Sequence, residues 1–124
     1  MNAHAQIAAV LERYFDGIFY GDVEKLQTVF HPAATLFSEV NGVSSVRPWA
    51  EYLEVVRNRK APSENGEVRD MEIISIELQG PIAFAKVQCR MLGFNYRDFL
   101  SLQRVENDWR IVCKLFTHVR PAQH

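Results

Sequence analysis

A chain of 124 residues, 48% of them hydrophobic and 23% charged, is long enough to bury a core of its own, and it predicts one domain over residues 1–124. The net charge of −1, without clusters of basic residues, argues against a nucleic-acid partner, because phosphate binding requires grouped Lys and Arg side chains. No apolar run approaches the roughly 20 residues that span a bilayer, and the first residues lack the pattern of a signal peptide. We therefore expect a cytoplasmic protein without a membrane anchor.

The two cysteines and four histidines do not have the spacing of a metal site. Cys89 and Cys113 lie in segments with strand character, and we expect both thiols to be buried and reduced, as is usual in the cytoplasm. The sequence also lacks a phosphate-binding loop, a nucleophile elbow and a C-x-x-C pair. We therefore expect neither a metal nor an organic cofactor.

Three amphipathic segments predict helices in the first half of the chain. Apolar residues at three- and four-residue spacing predict the first helix over residues 4–20. A second helix is predicted to run through Phe30 and to end at His31-Pro32, since the residue before a proline avoids the helical region. Pro48 suits the first position of a third helix.

The other segments predict a sheet. Asn41-Gly42 is typical of a type I′ turn, which makes residues 34–46 a hairpin. Further strands are predicted at residues 68–79, 82–92, 94–105 and 109–118. Helices followed by such a meander favour an α+β fold, because parallel strands would need helices between them. We expect a cone-shaped, curved antiparallel sheet wrapped around the three helices, with a pocket at its open end.

The last hairpin decides which side chains face the helices. If Asn107-Asp108 is a two-residue turn, Asp98 pairs with Thr117. The predicted core face then carries Leu100, Leu102, Trp109, Ile111, Cys113 and Leu115. The predicted outer face carries Phe99, Ser101, Gln103, Arg110, Val112, Lys114 and Phe116. We expect this mixed outer face to form a homodimer interface, and the alternative is a partly covered surface.

Asp98 is the exceptional residue of this pattern, because its carboxylate falls on the core face among aromatic and leucine side chains. A carboxylate there either finds a charged or hydrogen-bonding partner, or it is held neutral and can donate a proton. Tyr14 lies on the apolar stripe of the first helix, and its phenol is a candidate partner. The alternatives are a bulge that turns Asp98 to solvent, and an ordinary core position for Tyr14.

Apolar and aromatic residues near these two side chains are candidates for the lining of the pocket. They are Phe15, Ile18, Phe30, Phe37, Trp49, Tyr52, Cys89, Met91 and Tyr96, together with His31. Aromatic residues at helical spacing also occur in ordinary cores, and His31 also suits a capping or surface position. Arg90 and Lys114 alternate to the outer face and are predicted to be surface or interface charges.

Two segments resemble the nuclear transport factor 2-like superfamily. LERYFDGIFYGDVEKLQTVFHPAATLFSEVNG is similar to its opening helices and first strand, and DFLSLQRVENDWRIVCKLF is similar to its closing hairpin. Within the superfamily, which includes ketosteroid isomerase and polyketide cyclase-like proteins, the chain is most similar to the putative lumazine-binding family. The resemblance implies a cone-shaped α+β barrel, often a homodimer, with a pocket between the sheet and the helices.

Ketosteroid isomerase uses a tyrosine and a protonated aspartic acid as oxyanion donors, and a second aspartate as general base. The resemblance places Tyr14 and Asp98 at the donor positions and Ser38 at or beside the position of the base. A serine does not move protons near neutral pH without a base of its own, and Glu39 would point to the opposite face. The resemblance therefore implies a polar anchor in an apolar pocket rather than the isomerase reaction.

These observations predict a small-molecule-binding protein whose ligand is apolar or planar and carries one acceptor group, held by Tyr14 and Asp98. The first alternative is a cofactor-independent isomerase, dehydratase or cyclase that uses the same two residues as acid or oxyanion donors. The second alternative is a dimeric interaction module. A base facing Asp98 would favour the enzyme, and a pocket filled by Trp49 and Tyr52 would favour the interaction module.

Overall fold

The structure is a computed structural model that describes residues 2–119. The elements in chain order are α1 (Ala3–Tyr20), α2 (Val23–Gln27), β1 (Phe30–Val40), β2 (Val43–Pro48), α3 (Trp49–Asn58), a 3₁₀ helix (Pro62–Asn65), β3 (Asp70–Gln79), β4 (Ile82–Met91), β5 (Phe94–Val105) and β6 (Asp108–His118).

The strands form one curved, unclosed sheet in the order β2-β1-β6-β5-β4-β3. Neighbouring strands are antiparallel except β1 and β6, which are parallel. The buried apolar side chains of the three helices and of the inner sheet face form a single core between them. The predicted α+β fold is confirmed.

Helix α1 forms because its apolar residues recur on one face and both of its ends are capped. The Asn2 side chain accepts a hydrogen bond from the backbone N–H of Ala5 at 2.8 Å, and Gly21 ends the helix in the left-handed conformation. Gly17 lies where α1 meets α2, and a Cβ atom built on it would lie 2.4 Å from Leu26 Cδ2. Any larger residue at this position would force the buried Leu26 side chain to move.

Helix α2 is shorter than predicted, because it ends at Gln27 and the chain enters β1 at Phe30. The prediction that the second helix continues through Phe30 is wrong. His31 and Pro32 lie inside β1, where the pairing with β6 is irregular, so the missing N–H of proline interrupts no regular ladder. The Ile111 N–H donates to the Val29 carbonyl at 2.9 Å and fixes the start of β1 against β6.

The Asn41-Gly42 turn between β1 and β2 is confirmed, and both residues have the positive φ that a type I′ turn requires. The turn between β5 and β6 lies one residue earlier than predicted. Val105 pairs with Asp108, and Glu106 takes a positive φ of 60°. This turn alone moves each pairing of the hairpin by two residues, so that Leu102 pairs with Ile111 instead of Cys113, and it leaves the alternation of the faces unchanged.

A bulge in β6 shifts the register a second time. Ser101 pairs with Cys113, whereas its neighbour Leu102 pairs with Ile111, which leaves Val112 as the extra residue. Before the bulge, Ile111 is fully buried, as predicted. Beyond the bulge, the alternation of β6 is reversed relative to the prediction.

The reversal exchanges four side chains between the faces of the sheet. The predictions that Cys113 and Leu115 belong to the core face and that Lys114 and Phe116 belong to the outer face are wrong. Lys114 is only 3% exposed, whereas Leu115 is 48% exposed. Asp98 lies on the inner face, 1% exposed, and it pairs with Phe116.

Candidate functional site

A cavity of about 170 Å³ lies between α3 and the inner face of the sheet. Six secondary-structure elements or their ends contribute to its wall. The lining residues are Leu36, Ser38, Ser45, Arg47, Tyr52, Val55, Arg59, Met91, Tyr96, Lys114 and Phe116. Three of them are cations, and none is an acid, so the cavity is polar and positive on part of its wall and apolar on the rest.

Behind this wall, Tyr14 and Asp98 form a fully buried pair. The Tyr14 hydroxyl, from the middle of α1, donates to Asp98 Oδ2 at 2.6 Å. Cys89 Sγ, from the neighbouring strand β4, lies 4.0 Å from the same oxygen. Asp98 Oδ1 is inaccessible to solvent and has no hydrogen-bond partner among residues 2–119. The carboxylate thus depends on one strong donor.

Lys114 connects the buried pair to the cavity. Its Nζ donates to the Tyr52 hydroxyl oxygen at 3.2 Å and lies 4.6 Å from the centre of the Tyr52 ring, 4.9 Å from that of Phe116 and 5.2 Å from that of Tyr14. Aromatic faces attract a cation at such distances. The ammonium group is therefore held in place without a direct ion pair among the described residues.

Burial and charge set the protonation states of this cluster. Burial, followed by the negative charge of Asp98, raises the pKa of Tyr14 well above its usual range. Burial acts to lower the pKa of Lys114, but its electrostatic interactions with Tyr52 and Asp98 outweigh burial, so the pKa of Lys114 is raised. Burial also raises the pKa of the Cys89 thiol. At neutral pH the cluster therefore holds a protonated amine, a neutral Tyr14 phenol and an unreactive thiol.

The structure brings some of the predicted residues to the cavity and places others one layer behind it. Tyr52, Met91 and Tyr96 line the cavity directly. Tyr14, Asp98 and Cys89 are buried and do not line it, and the Tyr14 ring centre lies 5.2 Å from Nζ of the lining residue Lys114.

The remaining predicted pocket residues do not line the cavity. Phe15, Ile18, Phe30 and Trp49 are core side chains, and Phe30 stacks on Trp49 with ring centres 4.4 Å apart. His31 is half-buried, and its Nδ1 accepts from the Ala33 N–H at 2.9 Å. Phe37 points to the outer face and is 39% exposed.

Sequence reasoning missed the three cations of the wall, Arg47, Arg59 and Lys114. Lys114 was missed because no feature of a single sequence signals the extra residue in β6. Arg47 and Arg59 lie just before and just after α3, and only the packing of that helix over the sheet brings both to one cavity.

Two further features, a metal site and a membrane-spanning helix, are absent from the part of the chain that the structure describes. Within residues 2–119, no group of three or more His, Cys, Asp or Glu side chains could hold a metal ion. No helix in this range is long and apolar enough to cross a membrane.

Solved structures show the same fold. An NTF-2-like protein of unknown function from Silicibacter pomeroyi DSS-3 is 24% identical, with a TM-score of 0.86, over 96% of this chain and 100% of that one. An NTF2-like protein of unknown function from Shewanella baltica OS155 is 26% identical, with a TM-score of 0.84, over 95% and 94%. A cystatin-like fold protein from Burkholderia xenovorans LB400 is 14% identical, with a TM-score of 0.74, over 95% and 92%.

The comparison of sequences identifies the family. No curated protein matches the chain. The family described as putative lumazine-binding matches residues 2–117, which is nearly the whole sequence. Together with the fold, this match means that the chain belongs to the putative lumazine-binding family of the nuclear transport factor 2-like superfamily.

Proposed function

We propose that the protein binds a small molecule in the cavity between α3 and the sheet, with Tyr14 and Asp98 acting as the buried polar support of the site. The observation that carries the proposal is the buried polar cluster in which Tyr52 and Lys114 line the cavity and the Tyr14–Asp98 pair lies behind them. Burying an amine and a carboxylate without a direct ion pair costs stability, and apolar residues would pack there more simply. A binding role gives this cluster a use that packing does not.

The size of the cavity limits the ligand. A volume of about 170 Å³ is close to that of an engineered cavity of roughly 150 Å³ that accommodates benzene, and below the ~300 Å³ at which drug-sized pockets begin. Tyr52, Tyr96 and Phe116 supply aromatic surface. This supports a ligand with one planar ring or a short apolar chain inside the cavity.

The geometry supports binding more than the catalytic alternative. The Tyr14 O–H donates its hydrogen bond to Asp98 and not to a group in the cavity, so it is not free to stabilise an oxyanion. Ser38 lines the cavity at the position where the resemblance implies a base. No Asp, Glu or His is among the lining residues to remove its proton. Lys114 is protonated and therefore not a nucleophile.

The binding proposal is tested by filling the cavity. Ser38 and Ser44 lie on the same hairpin, but only Ser38 lines the cavity. NMR spectra of wild type, Ser38→Phe and Ser44→Phe are recorded with a set of one-ring aromatic acids, amides and alcohols. We expect shifts at Tyr52 and Tyr96 in wild type and Ser44→Phe, and none in Ser38→Phe. Shifts that survive in Ser38→Phe, or a wild type that responds to no compound, would contradict the proposal.

We also propose that the protein forms a homodimer through the outer face of the sheet. Phe37, Leu115 and Phe99 are cross-strand neighbours on β1, β6 and β5, and each is more than a third exposed. Phe84 on β4 extends this strip, with its ring 5.5 Å from that of Phe99. An exposed apolar strip of this kind is typical of an interaction surface.

Sedimentation equilibrium tests the dimer with Phe99→Asp. The control is Val68→Asp, which changes a residue that is 85% exposed and lies before β3. We expect wild type and Val68→Asp to be dimers and Phe99→Asp to be a monomer. A monomeric wild type, or a dimeric Phe99→Asp, would refute this interface.

A cytoplasmic location is also proposed, and the free thiols of Cys89 and Cys113 support it.

A further inference from the structure

We propose that the ligand of this cavity is an organic anion, a one-ring or short-chain carboxylate whose charged group lies among Arg47, Arg59 and Lys114. This inference rests on the proposed function and names the chemical class of the ligand. Burial, charge and unused hydrogen-bonding capacity in the wall carry it.

The charges of the wall are unbalanced. Arg47, Arg59 and Lys114 are among the lining residues, and no Asp or Glu is. The nearest buried carboxylate, Asp98, lies behind the wall and offsets at most the charge of Lys114. The two arginines thus remain uncompensated, in a chain whose net charge is −1.

The two arginines of the wall lack the ion pairs that several other arginines of the molecule make. Arg69 pairs with Glu12 and Asp16, and Arg90 pairs with Asp70. Within residues 2–119, no carboxylate lies within ion-pair distance of Arg47 or Arg59.

Arg59 also has a buried donor with nothing to bind. Its Nη2 atom is inaccessible to solvent and has no hydrogen-bond partner in the described part of the chain. An unpaired buried donor on a charged group is costly, and a carboxylate oxygen is the acceptor that best satisfies a guanidinium group. The backbone holds Arg59 in place, because its N–H donates to the Val55 carbonyl at 3.1 Å and ends α3.

The apolar part of the wall fixes the rest of the ligand. Leu36, Val55, Met91 and Phe116 line the cavity beside the cations. A molecule with one charged end and one apolar end matches both surfaces, whereas an inorganic anion would leave the apolar side in contact with water. The volume of about 170 Å³ leaves room for one ring.

The test compares benzoate with benzamide, which has the same shape without the charge, by titration calorimetry at low ionic strength. We expect benzoate to bind about 10- to 100-fold more tightly than benzamide, the range that charge-assisted hydrogen bonds supply. Arg59→Gln should remove most of this preference, because it should weaken the binding of benzoate far more than that of benzamide. Arg57→Gln is the matched control, since Arg57 is exposed on the same helix, pairs with Glu54 and is not a lining residue.

Lys114→Met should likewise reduce the preference for benzoate over benzamide. If this buried substitution unfolds the protein, Arg59→Gln still tests the inference. Equal binding of benzoate and benzamide by wild type would overturn the inference and leave the proposed binding function intact. Equal losses of benzoate binding in Arg57→Gln and Arg59→Gln would also overturn it, because they would indicate a general charge effect. Binding of neither compound would overturn both proposals.

Discussion

Replacing Tyr14 by phenylalanine isolates the shortest fully buried side-chain hydrogen bond among residues 2–119. Tyr14→Phe removes the hydroxyl that donates to Asp98 Oδ2 at 2.6 Å but keeps the ring, whose centre lies 5.9 Å from those of Phe15 and Phe30. The substitution therefore leaves almost no void, and its effect comes from the hydrogen bond alone.

The loss should be large for the removal of one oxygen atom. A hydrogen bond to a charged group contributes about 1.5–3 kcal/mol. The upper half of that range applies here, because Asp98 is 1% exposed and its other oxygen already lacks a partner among residues 2–119. We expect Tyr14→Phe to lower the free energy of unfolding by about 2–3 kcal/mol, a substantial part of the roughly 5–15 kcal/mol typical of a domain. The melting temperature should fall by about 8–12 °C.

Urea unfolding monitored by circular dichroism measures this difference, with Tyr20→Phe as the matched control. Tyr20 ends the same helix and is 56% exposed, so its substitution should change the free energy of unfolding by less than about 0.5 kcal/mol. Adding Asp98→Asn to Tyr14→Phe completes a double-mutant cycle, in which we expect a coupling of at least about 1 kcal/mol. A Tyr14→Phe protein as stable as Tyr20→Phe would refute the assigned hydrogen bond.

Two further predictions concern alkaline pH and helix packing. The pKa of Tyr14 is raised above 10.0 and that of Lys114 above 10.5 in the folded state, so their stabilising contributions are complete below about pH 10 and are lost as the pH rises beyond it. Urea midpoints should fall more steeply above about pH 10 in wild type than in Tyr14→Phe, and parallel curves would contradict this. Gly17→Ala should destabilise the protein by about 1–3 kcal/mol in urea unfolding despite the higher helix propensity of alanine, because its Cβ would meet Leu26; unchanged or increased stability would contradict the close packing.

Local patterns were enough to predict most elements of the fold. The apolar stripe of α1, the Asn41-Gly42 turn and the positions of four later strands depend on neighbours within a few residues, and all of them appear in the structure. The second helix was predicted too long, because the pairing of β1 with β6 outweighs the helical pattern that reaches Phe30. That pairing joins residues about 80 positions apart, and no local pattern encodes it.

The sequence by itself determined that a carboxylate at Asp98 falls among apolar neighbours, and that Tyr14 lies on the buried stripe of its helix. Only the tertiary structure decided what surrounds them. Because the side-chain period of a strand is two residues, the single extra residue at Val112 turns Lys114 from the outer face into the cavity wall. Arg47 and Arg59 join it only because α3 packs across the sheet between them. The charge of the cavity is therefore a property of register and packing, which three basic residues scattered over 68 positions of sequence do not disclose.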